Sequence, residues 1–75
     1  MCWLVLGKEK DILINFNTIS FIRGKMWNKE KNDYFTRIFM SQDKHYFDVY
    51  EKADGNSFEE IKERLLILSR GEDYE

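Results

Sequence analysis

Ser57-Phe58-Glu59-Glu60-Ile61-Lys62-Glu63-Arg64-Leu65-Leu66-Ile67-Leu68-Ser69-Arg70-Gly71 decides the fold of this 75-residue chain. Ser57 and Glu60 have capping-box spacing, in which the hydroxyl takes the amide of the third helical residue and the glutamate reaches back to the amide of the cap. Phe58, Ile61, Leu65 and Leu68 then recur at helical spacing on one face, and Glu59, Lys62, Glu63 and Arg64 fill the solvated remainder. Arg70 suits the last turn and Gly71 a left-handed cap. A helix this short is marginal by itself in water, so its apolar stripe needs a platform. The residues before it must build that platform.

They read as strands. Cys2-Trp3-Leu4-Val5-Leu6 is an apolar run closed by Gly7 and the charged Lys8 to Asp11, a strand and a hairpin turn. Ile12 to Phe16 is a second strand, followed by turn chemistry from Asn15 to Thr18. Ile19 to Arg23 makes a third. Gly24 to Asn32 is a polar excursion, a long hairpin that is partly strand itself. Tyr34 to Ser41 is rich in residues that fit a pleated surface, and Gln42-Asp43-Lys44 is a short turn. His45 to Tyr50 alternates, with Phe47 and Val49 on one side and Tyr46, Asp48 and Tyr50 on the other. Lys52 to Asn56 is a loop leading to the Ser57 cap.

The order predicts an α+β fold: an antiparallel, curved sheet of four to five strands in a β meander, with one C-terminal helix packed on it. Residues 1–71 form a single small domain and 72–75 an acidic, disordered tail. Under the helix the pattern places Leu4, Leu6, Ile12, Ile14, Phe21, Ile38, Met40, Phe47 and Val49. A slip of one residue exchanges the two faces.

Strands covered on one face should alternate apolar with polar, yet these do not. Trp3, Val5, Leu13, Ile22, Phe35 and Phe39 lie on the parity opposite the core, with Met26 and Trp27 on the hairpin and Ile67 opposite the helix stripe. Either a strongly curled sheet buries both parities, or the second face meets a partner, with a second copy making a dimer.

Net charge is −2, unevenly placed: residues 1–46 carry +3 and residues 47–75 carry −5. Such asymmetry can steer a partner or align two copies. One cysteine excludes an internal disulfide framework and predicts a reducing, cytoplasmic setting. The opening apolar run is too short for a signal sequence, and nothing approaches membrane-spanning length.

The chemical candidates are few. His45 is the only histidine, with Cys2, Asp43 and Asp48 as its conceivable companions. No metal-ligand spacing, phosphate-binding glycine loop or nucleophile elbow occurs, and the phase of His45 places it at the inward edge of its strand as a structural imidazole. Neither a catalytic residue, a metal nor a cofactor is expected, and the chain does not read as an enzyme. The basic residues Arg23, Lys25, Lys29, Lys31 and Arg37 are interleaved with Trp27, Tyr34 and Phe35. That combination is used for single-stranded nucleic acid, cations for phosphate and rings for stacking. Glu30, Asp33 and a pI near 5.4 weigh against it, and lysines also guard exposed strand edges.

Leu6-Gly7, Ile12-Leu13-Ile14-Asn15, Ile19, the strand pair, Val49 and the helix opening Ser57-Phe58-Glu59-Glu60-Ile61 together resemble the short FlbD/SwrD proteins associated with flagella and swarming. The hairpin around Trp27 is longer here, Gln42-Asp43-Lys44 replaces a turn glycine, and Asp54-Gly55-Asn56 lengthens the loop before the helix. The strand pattern is also similar to the sheet of LytTR-type DNA-binding domains, although the chain is too short to supply the rest of one. The FlbD/SwrD resemblance implies a small, non-enzymatic accessory or regulatory protein.

Overall fold

The computed structural model describes residues 2–42 and 45–71. The expected turn residues Asp43 and Lys44 and the acidic tail lie outside them. The order is β1 (Trp3–Leu6), β2 (Ile12–Asn15), a 3-10 turn (Phe16–Thr18), β3 (Ile19–Asn28), β4 (Asp33–Met40), β5 (Tyr46–Tyr50), α1 (Glu51–Asp54) and α2 (Phe58–Ser69). The fold is α+β with antiparallel strands and a C-terminal helix, but the strands form two sheets, β1-β2 and β3-β4-β5.

The break falls between β2 and β3, where the meander was expected to continue. Asn15 Oδ1 accepts the Asn17 amide at 3.0 Å, and the Thr18 hydroxyl donates to the Asn15 carbonyl at 2.7 Å. These local bonds curl Phe16–Thr18 into a 3-10 turn rather than a hairpin, so β2 and β3 do not pair.

The core is shared by both sheets and the helix. Leu4, Leu6, Ile14, Ile38, Val49, Ile61 and Leu68 are buried together, with Ile12, Phe16, Ile19, Ile22, Met40 and Leu65 packed around them. The β1-β2 hairpin and α2 therefore cover one face of the three-stranded sheet. Ser57 caps α2 as expected, its hydroxyl accepting the Glu60 amide at 3.2 Å, and Gly71 takes the left-handed conformation at φ 79°. The second half of the box does not form: the Glu60 carboxylate instead accepts from Asn56 Nδ2 at 3.1 Å and Arg64 Nη2 at 3.0 Å.

Two expected core residues are on the surface. Phe21 is 52% and Phe47 45% exposed. The register of β3 against β4 shifts between Ile19 and Phe21 and again between Arg23 and Met26. A bulge breaks strict alternation, so Ile19 and Ile22 both turn inward and Phe21 turns out. Phe47 keeps its predicted parity, opposite the buried Ile38, but lies near the start of β5, where it is exposed, whereas Val49 two residues on is fully buried.

Gly24 is mid-strand, not the start of a loop. A Cβ there would lie 1.7 Å from the Phe58 ring, so its bare backbone lets the first turn of α2 settle on β3. Helix α1, unforeseen in the sequence, is capped from a distance. Tyr50 offers no side-chain cap, and buried Asp33 accepts the Lys52 amide at 3.0 Å and the Ala53 amide at 3.1 Å. Burial raises the Asp33 pKa, and the amides of Lys52, Ala53 and Tyr34 outweigh it, holding the carboxyl below the ordinary range.

Candidate interaction surface

Cross-strand neighbours share a face, and the register aligns Phe21, Phe39 and Tyr46 on the uncovered face of the three-stranded sheet. Phe21 and Phe39 stack with centroids 4.3 Å apart, and Tyr46 continues the row 6.1 Å from Phe39. The row crosses all three strands and ends at the β3 edge. Beside it, Arg23 pairs in register with Arg37 and Arg37 with Asp48. The Arg37 guanidinium donates to both Asp48 carboxylate oxygens, at 2.8 and 3.1 Å, and lies 3.9 Å over the Tyr46 ring. The ring row is thereby flanked on one side by a second row, made of the exposed Arg23 and the Arg37–Asp48 ion pair.

Farther along the same face Phe35 is only 8% exposed, against Tyr50 at 5.2 Å. Asn28 Nδ2 donates to the Tyr50 hydroxyl at 2.9 Å, and the Lys31 ammonium sits 4.6 Å over the Tyr50 ring. This end of the face is closed by the protein's own side chains.

A second feature lies at the β3 edge. Between the first half of β3 and α2 runs an open groove of about 340 Å³. Phe16, Ile19, Ser20, Phe21 and Ile22 form one wall, and Lys62, Leu65, Leu66 and Ser69 form the other.

The residues expected on an interacting face divide. Trp3 and Leu13 are exposed on the outer side of the β1-β2 hairpin, and Trp27 is exposed at the end of the long hairpin, edge-on to Tyr34 at 4.8 Å. Phe39 joins the ring row; Met26 and Ile67 are half-buried. Two must be corrected: Phe35 is buried, and Ile22 packs against the core because of the β3 bulge. On the helix, Leu66, at 44% exposure, is the large apolar residue left open.

The basic hairpin is less available than its sequence reads. Lys25 is ion-paired to Glu59, which pushes the lysine pKa up and holds the Glu59 carboxyl down. Arg37 is engaged by Asp48 and Lys31 by Tyr50. Arg23 and Lys29 are exposed and form no ion pair with a described residue.

His45 is exposed rather than at an inward edge: it precedes the first residue of β5, and its carbonyl accepts the Met40 amide. Cys2 is half-buried and packs against the core. Among the described residues no group of three His, Cys, Asp or Glu could hold a metal ion, and no helix is long and apolar enough to cross a membrane.

Sequence reasoning missed Phe21, Gly24, Asp33 and Asn56. Of these, Gly24 carried a signal: an isolated glycine inside a strand-like run marks a bulge or a close backbone approach. Phe21 depended on a bulge, which the residues themselves do not announce. Compared with protein-family models, curated proteins and solved structures, the chain matches none.

Proposed function

We propose that this chain is a small, non-enzymatic interaction module that works by protein–protein binding and associates with itself. The observation that carries this reading is the uncovered ring row Phe21, Phe39 and Tyr46. In so small a domain, stacked rings on an open sheet face are apolar area that association would remove from water. On the helix, Leu66 adds exposed apolar area beside it. The resemblance to the FlbD/SwrD proteins accords with an accessory or regulatory role, and a cytoplasmic setting goes with it. Sedimentation velocity across micromolar concentrations tests the reading: a dimer is expected, and a monomer throughout would contradict self-association.

A second reading, single-stranded nucleic acid, draws on Arg23 and Arg37 flanking the same rings. It predicts salt-sensitive binding of single-stranded DNA or RNA that weakens when Phe21 or Arg23 is replaced by alanine. No binding at low salt would remove it. The Arg37–Asp48 pair and the exposed carboxylates of the chain favour the protein partner.

A further inference from the structure

We propose that a second copy of this chain docks on the free edge of β3. Its own β3 would run antiparallel beside Ile19–Arg23, and the two α2 helices would meet through Leu66. The inference rests on the self-association reading and names the surface that performs it.

The groove beside β3 is lined by Ile19, Ser20, Phe21 and Ile22, consecutive residues of one strand. With the bulge after Ile19, Ile19 and Ile22 turn inward and Phe21 outward, so a groove confined to either face would not be lined by all four. Four in a row share only the strand's edge. That edge belongs to an outermost strand of its sheet, and a row of backbone amides and carbonyls on such an edge is a template for another strand. The opposite wall is Lys62, Leu65, Leu66 and Ser69, at helical spacings of three, four and seven that define one flank of α2. An incoming strand would meet backbone on one side and a helix flank on the other. The length of the edge is limited too. At Gly24 the Phe58 ring lies against the strand, and Lys25 at φ 56° interrupts it, leaving Ile19–Arg23 as the accessible stretch.

Two features select a second copy. The ring row ends at Phe21 on this edge, and a two-fold axis beside it would continue the row into the same three rings of the other chain, giving one unbroken apolar band. An isologous contact of this kind uses each free edge once and closes at two chains.

The test uses Leu66→Glu and Phe21→Lys, with Leu13→Glu on the hairpin's outer surface as control. All three sites are exposed in the single chain, and far-UV circular dichroism verifies folding, with Leu66→Lys as a second replacement at the helix flank. Sedimentation equilibrium should show a wild-type dimer whose dissociation constant rises at least about tenfold in each edge or flank variant and stays within about twofold in the control. A wild-type dimer untouched by the edge and flank variants, or dissociated by Leu13→Glu, overturns the proposed surface and leaves self-association standing. A wild-type chain monomeric up to roughly 100 μM overturns both.

Discussion

One flank of helix α2 is tied down polar group by polar group, while the other looks into an open groove. On the tied flank the Gly7 amide donates to Asn56 Oδ1 at 2.7 Å, Asn56 donates to Glu60, and Arg64 bridges Glu60 to the Val5 carbonyl. These bonds run from β1 into the first half of the helix, and Phe58 rests on Gly24 of β3 just below. The open flank presents Lys62, Leu66 and Ser69 across the groove from the β3 edge. A helix used only to cover a sheet would be indifferent between its flanks. The asymmetry separates a side bonded into the fold from the side that the proposed contact would use.

The comparison breaks first at its tied end. Gly24→Ala forces a methyl into the Phe58 ring, and overpacking at such a contact costs about 3 kcal/mol. For a domain of this size that lowers Tm by more than roughly 10 °C. Thermal denaturation checks it, and Phe58→Leu added to Gly24→Ala should recover part of the loss as a non-additive pair. Asn56→Ala comes next. It strands the Gly7 amide and frees Glu60, at a cost of about 1–2 kcal/mol in urea denaturation.

Asp33→Ala removes the distant cap of α1 and should lower the urea midpoint at pH 7 by less. Its pH dependence is the sharper readout. The folded pKa of Asp33 is depressed, so its contribution is full above the unfolded value of about 3.9 and is lost as pH falls through the folded value. Wild type and Asp33→Ala should therefore converge in stability at strongly acid pH and separate above about pH 4. Parallel curves would mean the cap does not depend on the carboxylate's charge. The smallest effect on folding belongs to the open flank, where Leu66→Glu should change monomer stability by no more than about 0.5 kcal/mol. If it unfolds the chain instead, that flank is part of the core and the distinction between the two sides is lost.

How far the sequence foretold this arrangement depends on the range of the interaction. Helix α2 was legible from Ser57 to Gly71 because caps and stripe are local, and the Glu60–Arg64 pair follows from spacing alone. Strand existence was legible for the same reason, including the long hairpin through Trp27. Parity in β3 was not, because the shifts after Ile19 and Arg23 are set by pairing with β4, and they exchange Phe21 with Ile22. The split into two sheets turned on Asn15 bonding to its neighbours rather than to β3. Asn56 and Asp33 act on amides far away in sequence, Gly7 and Lys52, where no local pattern points. Of the uncovered ring row Phe21, Phe39 and Tyr46, on which the proposed surface rests, the sequence reading named only Phe39 as a second-face residue.

Residue-resolved amide hydrogen exchange, recorded on the wild-type chain over a concentration series up to roughly 100 μM, tests the proposed edge contact most directly. If a second copy pairs along β3, amides within Ile19–Arg23 slow with concentration while those of the outer β5 edge, Tyr46–Tyr50, keep their rates. Protection that is independent of concentration across Ile19–Arg23, or that rises along β5 instead, would contradict the account.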